Sequence, residues 1–125
     1  MTTDADAPIE GQILLLTAAK ASVGPERLPD LVAQVQTDLQ PRLEEYERRY
    51  ELVHETSGSR VFLAERGHWE TVGERLGLDR REVDAVRRAH TEQFRRFGRR
   101  EDRRDEFEAA LDIRDPVVVG VAREE

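Results

Sequence analysis

Two stretches of helical apolar spacing, His68 to Leu76 and Asp79 to Phe97, are separated by only Gly77-Leu78. A two-residue join leaves room for nothing but a tight turn, so the two helices must meet at a corner and bury its inside together. Val72, Leu76, Leu78, Val83 and Val86 hold the positions that fill such an angle. Gly73 falls where the helices approach most closely, and a larger side chain there would push them apart. Gly77 falls where the first helix ends, and a glycine reaches positive φ without a Cβ penalty. Asp79 then caps the second helix by accepting a backbone N–H bond at its start.

The second helix has two sides. At about 100° per residue, Arg88, Arg95 and Arg99 fall within about 40° of Arg81, and Arg103 reaches the same limit if the helix persists past Gly98. Val83, Val86, His90, Phe94 and Phe97 cluster around the opposite direction. The result is one apolar seam and one arginine stripe. Glu92 lies within the stripe, spaced to pair with Arg88 and Arg96 at i,i+4, and Glu82 and Asp84 on the same helix would repel an anion unless turned aside. The chain has a net charge of −7, yet residues 68–104 hold eleven Arg against eight acidic residues. Residues 1–67 hold seven basic and twelve acidic side chains, and residues 105–125 hold two and seven. An acidic body with one basic segment is the arrangement expected where positive charge is kept for a contact surface.

From Trp69 to Arg88 this pattern resembles the helix–turn–helix DNA-binding motif. The resemblance implies that Asp79 to Arg88 is a recognition helix whose N-terminal half enters the major groove of double-stranded DNA. It makes Arg80, Arg81 and Arg87 candidate contacts to bases or phosphates, and Arg88, Arg95 and Arg96 candidate contacts to backbone phosphates. Arginine suits both tasks, because its planar fork pairs with guanine O6 and N7 or with a phosphate. The function so implied is that of a small DNA-binding regulator of transcription. The charge segregation also supports a competing expectation, a non-catalytic module for protein–protein contact or self-association. There the arginine stripe meets an acidic protein partner, or the Phe94–Phe97 seam or the long helix Leu28 to Tyr50 forms a homodimer.

With 125 residues, of which 38% are hydrophobic, the chain can close one core but not two. The expected fold is mainly α with a small β element: a helical domain containing the helix–turn–helix-like corner, a β-hairpin and a third C-terminal strand. Helices are expected near 9–21, 28–50 with a kink at Pro41, 68–76, 79–97 and 100–111. The hairpin is expected over 51–66, where ELVHE and RVFLAE flank Thr56-Ser57-Gly58-Ser59, and a strand over 117–121. Residues 1–8 and 123–125 read as tails around a single domain over 9–122. A winged-helix arrangement would require the hairpin to follow the corner, and here it precedes it.

Composition closes several routes. The absence of cysteine excludes disulfides, thiolate metal sites and cysteine nucleophiles. His54, His68 and His90 have no ligand-like spacing, so no metal, cofactor or reaction centre is assigned and a non-catalytic role is expected. His90 reads as a hydrogen-bonded core residue, and Trp69 and Tyr46 as packing. The longest apolar run, Ile13 to Leu16, is far short of the roughly 20 residues a bilayer span needs, which points to a cytoplasmic protein without membrane contact. Charged residues make up 38%, and the basic ones are nineteen Arg and one Lys. That composition resembles proteins of halophilic archaea, whose acidic surfaces stay hydrated in concentrated salt.

Overall fold

A computed structural model describes residues 8–121, so the tails expected over 1–8 and 123–125 lie, apart from Pro8, outside the described residues. Along the chain run α1 (Gly11–Ala21), α2 (Arg27–Leu39), a 3-10 turn (Gln40–Arg42) and α3 (Leu43–Arg49). They are followed by β1 (Glu51–Glu55), β2 (Ser59–Glu65), α4 (His68–Leu76), α5 (Arg80–Arg100), α6 (Arg104–Leu111) and β3 (Arg114–Gly120). The fold is mainly α with one three-stranded antiparallel sheet in the order β1-β2-β3.

Local sequence accounts for most of these boundaries. α1 stops at Ser22, which takes a left-handed conformation, and the Gly24 carbonyl then accepts from the Arg27 and Leu28 amides to start α2. At Pro41, where a kink is expected, the α-helical ladder gives way to a 3-10 turn, and Arg42 sits at φ −98°, ψ 10° before α3 begins. Such a turn absorbs the missing proline donor. Leu28, Leu31, Val32, Val35 and Leu39 on α2 and Tyr46 on α3 are all buried in the chain's own core. The long helix therefore spends its apolar face internally and does not present it as a dimer surface.

Helix α5 is the hub, touching α1, α2, α4, α6 and β3. It continues to Arg100, three residues past the expected end at Phe97. Gly98 is not a stop but a contact, because a Cβ there would lie 3.0 Å from the Phe107 ring of α6. The helix closes instead at Asp102, with φ 58°, where the Arg103 amide donates to the Gly98 carbonyl and the Asp102 amide to that of Arg99. These are the two bonds of a Schellman close, and aspartate tolerates the left-handed position better than most side chains. The final helix consequently starts at Arg104 instead of 100. Phe94 and Phe107 stack 4.2 Å apart with their rings 5° from parallel. Phe94 is fully buried and Phe97 nearly so, which removes the seam expected to serve as an interface.

β3 begins at Arg114, ahead of the expected 117, and runs through Pro116. A proline fits because β3 is an edge strand and Pro116 takes a place where its missing N–H breaks no ladder bond. That open edge is closed by side chains from three helices. Trp69 Nε1 donates to the Pro116 carbonyl at 3.3 Å, and the Val118 amide donates to His90 Nδ1 at 2.9 Å. Gln36 donates through Nε2 to the Val118 carbonyl at 2.7 Å and accepts from the Gly120 amide through Oε1 at 2.8 Å. The edge facing the helices thus finds the partners that a fourth strand would supply. The β1–β2 hairpin is no projecting wing: Val61 to Ala64 of β2 are buried, and β2 pairs with β3 along its whole length.

Candidate nucleic-acid interface

The corner between α4 and α5 is built as its glycines require. Gly77 has φ 73°, the Leu78 amide donates to the Gly73 carbonyl at 2.9 Å, and the Gly77 amide donates to that of Glu74 at 3.3 Å. A Cβ on Gly73 would sit 2.2 Å from Val83 Cγ2, so α4 and α5 touch backbone to side chain at this point. Val72 and Val86 are buried, and Leu76, Leu78 and Val83 pack partly buried against the same core. Asp79 and Glu82 form a capping box: Asp79 accepts from the Glu82 amide at 2.8 Å, and Glu82 accepts from the Asp79 amide at 3.0 Å.

Both arms of the corner are tied to α2. Arg75 on α4 grips Asp38 through Nε and Nη2, holding that carboxyl below the usual carboxylate range. Arg27 donates to Glu82 Oε2 at 2.7 Å. Glu82, whose charge would repel an anion, is thereby turned back into the protein, occupied by its own cap and by Arg27.

Most of the arginine stripe is occupied by the chain's own carboxylates. Arg87 and Arg88 both reach Asp84, at 2.5 and 2.8 Å. Arg95 bridges Glu92 and Glu108 at 2.7 and 2.8 Å, so Glu92 pairs at i,i+3 and not with Arg88 or Arg96 as its spacing suggested. Arg96 bonds Glu10 and Gln12, and Arg100 grips the same Glu10 through both terminal nitrogens. Burial raises the Glu10 carboxyl, but bonds from Arg100, Gln93 and Arg96 outweigh that and bring it down to about 2. Arg103, beyond the end of α5, bonds Glu106 and the Val53 carbonyl.

Arg80 and Arg81 stand apart. Both are exposed at the first turn of α5, and neither has an ion-pair partner among the described residues. With Asp79 and Asp84 they line one open depression at the tip of the corner. Arg99 is also exposed and unpaired there, but eighteen residues at about 1.5 Å each place it roughly 27 Å along the helix from Arg81. A second groove, between α4 and α5, is lined by Glu70, Glu74, Leu78, Arg80, Val83 and Asp84, and is acidic on its α4 side.

Of the six arginines assigned to DNA from the sequence, the structure leaves Arg80 and Arg81 free, ties Arg87 and Arg88 within their own helix, and commits Arg95 and Arg96 to neighbouring segments. Two residues that periodicity does not single out anchor α1 on α5: Glu10, and Gln93, which is fully buried, donates to Glu10 Oε2 at 2.9 Å and accepts from the Glu10 amide at 2.8 Å. A signal existed, since Gln93 falls beside Val86 at the margin of the apolar seam.

The histidines serve packing and bonding. His90 is fully buried, and burial followed by repulsion from His68 lowers its pKa to about 3. His68 Nε2 meets the Tyr46 hydroxyl at 2.6 Å, and burial lowers His68 and raises Tyr46. Among the described residues no group of three or more His, Asp or Glu is placed to hold a metal ion. No helix among them is long and apolar enough to cross a membrane.

The fold and the corner together define a mainly helical protein with a small antiparallel sheet, carrying a glycine-hinged helix pair with two free arginines at its tip. Within that class the chain belongs to the family described as Domain of unknown function (DUF8048), whose model matches residues 7–121. No curated protein and no solved structure matches it.

Proposed function

We propose that this chain is a non-catalytic, cytoplasmic DNA-binding protein that contacts duplex DNA with the N-terminal turn of α5. One observation carries the reading: Arg80 and Arg81 are held out at the first turn of a capped helix, past a glycine corner, while neighbouring arginines are bound internally. The N-terminal residues of a recognition helix are those that reach base edges in helix–turn–helix docking. The outward face of α4 carries Glu70 and Glu74, where such docking brings a helix across the phosphate backbone. Contact is therefore confined to the tip, with few phosphates neutralised and modest affinity. At ~1 M salt the Debye length is ~3 Å, so recognition there depends on direct hydrogen bonds.

The test is fluorescence anisotropy with duplex DNA across a potassium chloride series. Two phosphate contacts give a slope of log affinity against log salt near −2, from about −0.9 per contact. Arg80→Ala/Arg81→Ala should flatten that slope and weaken binding, while Arg95→Ala leaves both unchanged. Equal binding by the double variant and the wild type excludes the tip as the contact.

Self-association is a second reading, favoured by a different observation. Leu15 and Leu16 on α1 are 63% and 60% exposed, side by side on a helix whose other face packs on α5. Sedimentation of the wild type and Leu15→Ser/Leu16→Ser in molar salt decides it, since a monomer in both cases removes a homodimer through α1.

A further inference from the structure

The ion-paired arginines of α5 are held in two different ways. Arg95 and Arg96 are anchored across the fold, to Glu108 of α6 and to Glu10 at the start of α1. Releasing them would loosen the packing of separate segments. Arg87 and Arg88 make their side-chain hydrogen bonds within their own helix, at i+3 and i+4 from the single carboxylate of Asp84 and each on a different oxygen, and Arg87 also feels the charge of Asp115 on β3. All three side chains are roughly one-third to one-half exposed. Exposed pairs one turn apart on a helix are the weakest class of ion pair and are readily exchanged for another anion. Asp84 also lines the same depression as Arg80 and Arg81, one turn further along the outward face. An anion seated on those two arginines therefore approaches the carboxylate that occupies the next two.

We infer that Asp84 is an internal competitor for phosphate, holding Arg87 and Arg88 away from a bound polyanion and setting how tightly the corner grips it. This inference rests on the proposed DNA contact and deepens it. With Asp84 charged, only Arg80 and Arg81 engage and one negative charge stands beside the ligand. With that charge removed, four guanidinium groups become available over two turns. The geometry makes Asp84 a positioning residue, acting through the two arginines that it holds.

The experiment compares binding of a 30-base-pair mixed-sequence duplex to the wild type, Asp84→Asn, Glu44→Gln and the triple variant Asp84→Asn/Arg87→Ala/Arg88→Ala. Glu44 is exposed on α3 with no ion-pair partner among the described residues, so its variant controls for the net charge alone. Thermal melts confirm that each variant is folded. Asp84→Asn should bind about 3- to 10-fold more tightly, with a salt slope steeper by about 1 to 2 units, at about 0.9 per added phosphate contact. Glu44→Gln should match the wild type, and the triple variant should lose the gain. If Asp84→Asn binds no better than Glu44→Gln while Arg80→Ala/Arg81→Ala still weakens binding, Asp84 is not a competitor and the tip contact stands. If the triple variant keeps the whole gain, the effect is charge alone and the inference is overturned. If neither the wild type nor Asp84→Asn binds the duplex, the proposed DNA contact falls and this inference falls with it.

Discussion

The Nδ1 atom of His90 accepts a hydrogen bond from the Val118 amide at 2.9 Å, joining the middle of α5 to the outer edge of β3. Nδ1 can accept only while the ring is neutral there, with the proton on Nε2. Burial keeps it neutral by lowering its pKa to about 3, whereas an unfolded histidine titrates near 6.5. As pH falls, the unfolded chain takes up this proton first, so the contribution of His90 is complete above about pH 6.5 and is lost progressively toward pH 3. His68 is lowered by burial too and acts in the same direction. Urea unfolding should show a lower midpoint at pH 5 than at pH 7, with His90 costing up to about 1.4 kcal/mol per pH unit below its unfolded pKa. His90→Gln, which keeps an acceptor without a titrating ring, should reduce that dependence. Equal midpoints at the two pH values would contradict the account of His90.

Gln36 contributes to the same edge from α2, through one bond to the Val118 carbonyl and one from the Gly120 amide. Gln36→Ala leaves the Val118 carbonyl and the Gly120 amide without their side-chain partner. An unsatisfied buried group costs about 1–3 kcal/mol, and the loss is read directly from chemical denaturation. A conservative Gln36→Glu should not rescue, because the carboxylate can accept from Gly120 but cannot donate to Val118.

The corner itself makes a steric prediction. Gly73→Ala places a methyl 2.2 Å from Val83 Cγ2, an overlap that is relieved by turning Val83 off its present rotamer or by separating α4 from α5. Overpacking of this kind costs typically 1–3 kcal/mol. The double variant Gly73→Ala/Val83→Ala should recover part of that loss, a non-additivity visible in a double-mutant cycle. Additive losses would mean that the two residues do not share the strain.

Glu10 holds the start of α1 against α5 through Gln93, Arg96 and Arg100. Its carboxyl lies near 2, below the ordinary value of 4.5, so its contribution is present above about pH 4.5 and fades as pH falls toward 2. Glu10→Gln should destabilise the protein by roughly 1–2 kcal/mol at neutral pH, consistent with charge-assisted bonds that are partly exposed. Amide hydrogen exchange should rise first in α1. Protection unchanged throughout α1 would show that the anchor lies elsewhere.

How far the sequence could be read follows from the range of each interaction. The bounds of α4 and the existence of the hairpin were legible, because apolar periodicity and turn residues act within a few positions. The corner was legible for a related reason: Gly73, Gly77 and Asp79 each answer to a steric or capping demand from residues within ten positions. Gly98 misled because a glycine in a helix can mark an end or a close contact, and only Phe107 packing against it decides. The fate of the arginines was not legible. Arg96 and Arg100 find Glu10 across 86 and 90 residues, and Gln36 closes a strand edge 82 residues away. Periodicity shows which side of a helix an arginine lies on, but not which carboxylate the fold brings to it.

The proposed contact between the exposed tip of α5 and duplex DNA can be located by titrating the uniformly 15N-labelled protein with a duplex and following amide and arginine side-chain resonances. Shift changes should concentrate in residues 78–84, including the Arg80 and Arg81 Nε signals, with α1 and β3 unmoved. Changes centred on α1 or α6, or a spectrum unaltered at excess duplex in low salt, would contradict it.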